Sequence, residues 1–335
     1  MAALEPRYRR VVRSIDVGGE RLSVIGLGTW QFGSREWGYG RDYAETTAVE
    51  ITRRALDLGI NLIDTAEIYG FGRSERILGR ALGERRDEAF IATKVFPVLP
   101  LGPLVEQAAR RSMRRLGVDM IDLYQVHWPN PVVPLEATMA GMRRLRERQA
   151  IRHVGVSNFG LRRWQQADRA LGAPIFSNQV EFSLVARRAE SSMLPWAQAN
   201  DRLVIAYSPL AQGFLSARWD GTRQPGGVRA TNSLFLPENL QRAQPLFGAL
   251  RDVARAHDAT ASQVALAWLI RKPNVVAIPG ASSVDQLERN AAAADLELTE
   301  EDDARLTDAA DAFHPVTGPA TLPGRFRARL PGAAD

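Results

Sequence analysis

Short apolar runs recur along the chain at 24–28, 61–64, 89–95, 121–127, 151–157, 174–180, 203–207 and 275–279. They are too short for ordinary helices and read as buried strands. Most of the intervening segments carry helical period. In 45–58, for example, Ala48, Ile51, Ala55 and Leu58 share one face and Gly59 follows as a stop. Strands alternating with helices predict a parallel sheet. Eight such units without a break in composition predict an α/β fold of one domain, a (β/α)8 TIM barrel. Residues 1–335 read as that single domain, with a core at about 20–312 and a tail at 313–335.

Four segments depart from the repeat. Val11 to Val24 reads as an N-terminal β-hairpin turning at Gly18-Gly19. Pro209 to Leu240 follows the seventh strand and carries Gly213, Gly221, Pro225, Gly226 and Gly227, the composition of a long functional loop. Thr299-Glu-Glu-Asp302 is a capping pattern that opens a last helix. Residues 314–335, with four prolines and three glycines, read as an irregular tail and a candidate cap for the barrel mouth.

Charge changes the picture at one place. Of 43 Lys and Arg, only Lys94 and Lys272 are lysines, so most positive charges are arginines interleaved with acids, as in Glu84-Arg-Arg-Asp-Glu88. Those are solvated helix ends, and the net charge of +5 does not describe a nucleic-acid surface. Lys94 differs because it lies inside the apolar run 89–95. A buried ammonium needs an acid beside it, and Asp64, which closes the run 61–64, is the candidate. Tyr69 follows on the turn after that strand, and His127 ends a third. Residues 64, 94 and 127 are each separated by about one strand-helix unit, ~30 residues. A parallel sheet therefore brings a carboxylate, a phenol, an ammonium and an imidazole to one end.

Other chemistries are excluded or disfavoured. Zero cysteines rule out disulfides and thiolate metal sites. Four histidines without an H-E-x-x-H pair speak against a catalytic metal. Gly70-Phe-Gly72 is followed by Glu75 where a dinucleotide fingerprint needs glycine, and neither lysine follows a glycine as in a phosphate-binding loop. No apolar stretch approaches membrane-spanning length, and Met1-Ala-Ala-Leu-Glu-Pro-Arg7 has no apolar signal region. A cytoplasmic location is expected.

Gly26-Leu-Gly-Thr-Trp30, Ile63-Asp-Thr-Ala-Glu-Ile-Tyr-Gly70, Gly72-Arg-Ser-Glu75, Ala92-Thr-Lys94 and Gln125-Val-His-Trp128 follow in order. Gly155-Val-Ser-Asn-Phe159, Asn178-Gln179, Ala206-Tyr-Ser-Pro-Leu-Ala-Gln-Gly213 and Ile278-Pro-Gly-Ala-Ser282 continue the series. Over roughly residues 20 to 312 the chain resembles the aldo-keto reductase superfamily, and most of all its bacterial branches related to potassium-channel β-subunits. The resemblance implies a nicotinamide-dependent carbonyl reductase in which Asp64, Tyr69, Lys94 and His127 form the catalytic tetrad. Tyr69 would give a proton to the developing alkoxide. A free phenol has a pKa near ~10, and an ammonium at Lys94 is expected to lower it. Asp64 would keep Lys94 protonated, and His127 would hydrogen-bond the substrate oxygen.

The resemblance also implies the cofactor residues. Gly28, Thr29 and Trp30 lie at the first strand end. Ser157, Asn158 and Gln179 match positions that hold the nicotinamide carboxamide, and Tyr207 matches the ring stacked on it. Ser208, Pro209, Leu210, Gln212 and Gly213, with Arg218 and Arg229, would hold the pyrophosphate. Gly280, Ser282, Gln286 and Asn290 would meet the adenosine end. Many family members place Lys or Arg around that last turn, whereas Gly280, Ser282 and Gln286 are uncharged. NADPH is the expected cofactor, with NADH possible. Trp30, Tyr69, Phe96, His127, Trp128 and Phe159 are the expected substrate pocket, with Trp37, Trp219 and Phe235 available from loops. The partner is a small carbonyl substrate, with no nucleic acid, membrane or metal, and the oligomeric state is not readable. Two other functions remain open: a cofactor-binding regulatory subunit of the same fold, and a Schiff-base aldolase using Lys94.

Overall fold

The computed structural model describes residues 11–40, 43–219 and 225–317. Strands β1 (Ser14–Val17) and β2 (Glu20–Ser23) pair antiparallel in an N-terminal hairpin. Its two-residue turn needs positive φ at both positions, and Gly18 and Gly19 adopt 57° and 82°. Eight parallel strands follow: β3 (Leu27–Gly28), β4 (Leu62–Asp64), β5 (Phe90–Val95), β6 (Ile121–Val126), β7 (Ile151–Ser157), β8 (Ser177–Glu181), β9 (Leu203–Tyr207) and β10 (Val275–Ala277). They neighbour one another in chain order. Parallel bridges Ile25↔Ala277 and Gly28↔Gly280 join the first strand to the last. Gly28 is needed at that seam, because a Cβ there would lie 2.7 Å from the carbonyl oxygen of Ile278. The expected (β/α)8 barrel with its N-terminal hairpin is the observed fold.

Helices α1 (Glu45–Asp57), α2 (Arg73–Leu82), α3 (Gly102–Leu116), α4 (Leu135–Glu147), α5 (Leu161–Leu171) and α6 (Met193–Ala199) connect β3 through β9. The stretch after β9 is less uniform than one long loop. It winds through 3₁₀ turns at 211–216, 227–231 and 233–235 into α7 (Pro237–Arg242), α8 (Gln244–Ala256) and α9 (Ala261–Ile270). Gly221, which was read as part of that loop, lies outside the described residues. After β10 come α10 (Val284–Ala292) and α11 (Glu300–Asp311), the latter opened by the reciprocal Thr299–Asp302 capping box. Residues 318–335, most of the tail read as a mouth cap, also lie outside the described residues. Among the described residues no helix is long and apolar enough to cross a membrane.

The two-residue period of each strand divides its side chains between two environments. Ile63, Ile91, Val126, Val156, Val204 and Ala277 pack outward in the large core shared with the helices. Leu62, Phe90, Ala92, Leu123, Leu203, Ile205 and Val276 pack together as a second cluster, which Val17 and Leu22 of the hairpin join. Two residues further along β4 and β5 the same alternation reaches Asp64 and Lys94. On β6 the row from Leu123 continues through Gln125 to His127. The barrel interior is thus apolar below and polar at the carboxyl ends of its strands, the end where barrel enzymes carry their sites.

Candidate active site

Lys94 is fully buried, an unusual position for an ammonium, and three groups accept its protons. Nζ lies 2.6 Å from Asp64 Oδ2, 2.8 Å from the Thr65 carbonyl oxygen and 3.3 Å from the Tyr69 hydroxyl. Asp64 is held from its other side. Gln179 Nε2 donates to Oδ1 at 2.7 Å and Gln125 Nε2 approaches it at 3.5 Å. Thr29 fixes the backbone here, its N–H and hydroxyl both donating to the Asp64 carbonyl, at 2.9 and 2.8 Å. Burial works to lower the Lys94 pKa, but Asp64 and Tyr69 outweigh it and hold the ammonium above its usual value.

Tyr69 and His127 face the same space, their rings 5.9 Å apart and edge-on. By its charge alone, Lys94 is expected to lower the phenol pKa. Burial wins instead and holds Tyr69 above the ordinary phenol value; Lys94 pulls it down, and Asp64 cancels part of that pull. His127 stacks on Trp128 with centroids 3.8 Å apart. Burial and the Lys94 ammonium push its pKa down to about 2, so the imidazole is neutral. His127 Nδ1 and Gln125 Oε1 are buried without hydrogen-bond partners among the described residues.

Above these groups opens a cavity of about 610 Å³, whose lining includes Trp30, Tyr69, His127 and Trp128. Of the expected nicotinamide contacts, Ser157, Asn158, Gln179 and Tyr207 all lie on its wall. The side chains of Ser157, Asn158 and Tyr207 form one network that ends on two backbone carbonyls. Tyr207 donates to Asn158 Oδ1 at 2.9 Å, Asn158 Nδ2 reaches the His127 carbonyl at 3.1 Å, and Ser157 Oγ donates to the Gln179 carbonyl at 2.9 Å. Asn158 has a left-handed φ of 63°, a conformation asparagine tolerates better than most residues.

The wall continues through Ser208, Pro209, Leu210, Gln212 and Gly213. Ser208, Ala211, Gln212 and Gly213 have φ between 47° and 91°, an unusual density of left-handed residues. Arg229 lines the cavity too, donating to the Gln212 carbonyl at 2.7 Å and lying 5.4 Å from the Trp37 ring centroid. Gly28, Gly280, Ser282 and Gln286 complete the far side. There Gln286 Oε1 accepts from both the backbone N–H and the hydroxyl of Ser282, at 3.0 and 3.1 Å.

Several expected residues stand elsewhere. Phe159 is buried in the outer core and does not line the cavity. Phe96 stands at the rim, edge-on to His127 and Trp128. Thr29 lies beneath the wall, and Asn290 braces the turn through the Gly280 carbonyl at 3.3 Å. Arg218 is exposed and lies over the Trp219 ring, while Trp219 packs on buried Phe235. Gln31, Ser34 and Ile68, not expected from the sequence, also line the cavity. Gln31 donates to the Ala281 carbonyl at 2.7 Å. Its position directly after Trp30, past a barrel strand end, was the signal that could have found it.

The aldo/keto reductase family model matches residues 24–311. The chain belongs to the aldo/keto reductase family. It is 55% identical over 307 residues to an uncharacterized oxidoreductase of Mycobacterium tuberculosis (strain H37Rv), covering 91% of this chain and 95% of the relative. A methylglyoxal reductase of Escherichia coli is 34% identical over 291 residues, covering 86% and 91%. The crystal structure of a Klebsiella pneumoniae aldo/keto reductase in complex with NADP and acetate aligns with a TM-score of 0.71 at 30% identity, covering 92% of this chain and 98% of that one. The protein is therefore an oxidoreductase of this family, and its cavity has the donor set a nicotinamide dinucleotide needs. Side-chain amides and hydroxyls stand at one end. At the other, a coiled backbone of the kind that cradles anions lies beside Arg229, and Ser282 and Gln286 at the start of α10 line the same cavity.

Proposed function

We propose that the protein reduces an aldehyde or ketone to the alcohol, using NADPH, or NADH in its place, with Tyr69 as the general acid. The observation that carries this is the buried Lys94 ammonium, shared between Asp64 and the Tyr69 hydroxyl on the cavity floor. A bound reduced nicotinamide would supply the hydride. Ser157, Asn158, Gln179 and Tyr207 would hold its ring end, and residues 208–213 with Arg229 its phosphates.

Tyr69 is neutral before reaction, because burial holds its pKa up. It therefore carries the proton that the developing alkoxide, a stronger base than phenolate, can take. As the proton leaves, negative charge appears 3.3 Å from the Lys94 ammonium, so Lys94 acts mainly on the charged product of the transfer. Asp64 keeps Lys94 charged and fixed in place. His127, neutral at any ordinary pH, serves as a hydrogen-bond donor to the carbonyl oxygen rather than as an acid. Such general acid catalysis contributes about 10²–10⁴-fold.

The aldolase reading needs a free amine at Lys94. A fully buried ammonium with three acceptors and a raised pKa is the opposite of an activated nucleophile. The test is a panel of aldehydes and ketones incubated with NADPH or NADH, following nucleotide absorbance, with binding read from tryptophan quenching near Trp30. Turnover of at least one carbonyl with nucleotide consumption is expected. Nucleotide-independent turnover, or no binding of either nucleotide at millimolar concentration, would overturn the assignment.

A further inference from the structure

We propose that Glu67 is a positioning residue for this proton transfer: its carboxylate ties the loop carrying Tyr69 to the end of the strand carrying Lys94, and so sets their spacing. The proposal rests on Tyr69 being the proton donor. Glu67 does not line the cavity and lies between Asp64 and Tyr69 in the chain. The paired register of β4 and β5 ends at Asp64↔Ala92. Beyond it the loop stays stitched to β5 by Thr65 N to the Ala92 carbonyl at 2.8 Å and Glu67 N to the Lys94 carbonyl at 3.4 Å. Then the chain turns, with Tyr69 N donating to the Ala66 carbonyl at 3.1 Å. From within that turn Glu67 Oε1 accepts from Phe96 N, at 2.6 Å. One residue thus grips β5 on both sides of Val95, through its own N–H and its side chain.

A second set of contacts braces the same joint. Arg115 Nη2 lies 3.9 Å from Glu67 Oε2, and Arg115 Nε lies 2.5 Å from Oε2 of fully buried Glu75. Glu75 Oε1 accepts from the Thr93 hydroxyl at 2.7 Å. Thr93 and Phe96 flank Lys94, so the cluster holds the ammonium's strand from behind while Glu67 holds the loop. Burial pushes the Glu67 carboxyl above its ordinary range, so this grip is kept against a desolvation cost.

A generic brace would affect folding alone, whereas a positioning residue affects the chemical step in protein that is already folded. Glu67→Leu removes the acceptor, and Glu67→Gln keeps one. In Glu67→Leu, kcat should fall by about twentyfold or more while carbonyl KM and nucleotide Kd stay within about threefold. Glu67→Gln should restore kcat to within about threefold of wild type. Glu67→Asp keeps the charge but shortens the reach, and should lose about fivefold or more even if Glu67→Leu does not fold. Wild-type kcat in folded Glu67→Leu or Glu67→Asp would overturn the proposal, as would a loss carried by nucleotide Kd. Tyr69→Phe is measured alongside. If it stays fully active, the proton-donor reading itself fails; if it alone is inactive, only the role of Glu67 fails.

Discussion

The two ends of the cavity are built in opposite ways. At the floor, Asp64, Lys94 and Gln179 are fully buried or nearly so and come from three different strands, and Lys94 and Gln179 both bond directly to Asp64. At the far end, the wall is loop backbone with left-handed residues, and Ser282 and Gln286 present hydroxyl and amide groups to the cavity instead of charge. Strand ends fix charged groups to within fractions of an ångström, which proton transfer requires. Loops and turns offer several weaker donors, which suffice to bind a long ligand and are easily retuned. Substitutions at the floor should therefore damage stability and chemistry, and those at the far end should move binding alone.

The largest expected effect on stability is at the floor. Asp64→Ala strands the Lys94 ammonium without its counter-ion, and breaking a buried pair from one side costs about 3–5 kcal/mol. A chemical-denaturation curve should show that loss, and adding Lys94→Met should recover much of it. Full stability in Asp64→Ala would mean that the pair is not buried as described.

His127 provides a second test at the same end. Its pKa is held to about 2 by burial and Lys94, whereas an unfolded histidine titrates near ~6.5. Between those values the unfolded chain binds the extra proton. The stability from neutral His127 is thus complete above about pH 6.5 and is lost as pH falls toward 2. His127→Gln should flatten this acid limb by up to ~1.4 kcal/mol per pH unit, measured by denaturation at about pH 7 and pH 4.5.

Effects at the far end should be smaller and confined to binding. Arg229→Ala should weaken both nucleotides about tenfold, the scale of one charge-assisted hydrogen bond, with kcat at saturation little changed. Gln286→Lys should raise the NADPH-to-NADH affinity ratio by about two- to fivefold, as one exposed charge contributes ~0.5–1 kcal/mol. A large drop in saturated kcat from either change would erase the contrast between the two ends.

The fold was legible because short apolar runs recur eight times and helical period fills most of the segments between them. The convergence of residues 64, 69, 94 and 127 was equally legible, since it follows from parallel strands alone. Phe159 was misjudged because it follows a strand end, where alternation no longer says which way a ring points. Gln31 and Ser34 sit in a loop whose path no periodicity predicts. The direction of the Tyr69 pKa was missed for a different reason. A nearby lysine can be read from sequence, but the depth of burial that outweighs it belongs to the assembled barrel.

Single-turnover reduction of a reactive aldehyde by wild type, Tyr69→Phe and Lys94→Arg, with nucleotide binding measured separately, tests the central claim most directly. Tyr69→Phe removes one hydroxyl and should leave binding intact while lowering the rate by at least about a hundredfold. Lys94→Arg should also be slow, because a longer planar guanidinium cannot stand where the ammonium does. A Tyr69→Phe enzyme that reduces the aldehyde at the wild-type rate would contradict the account.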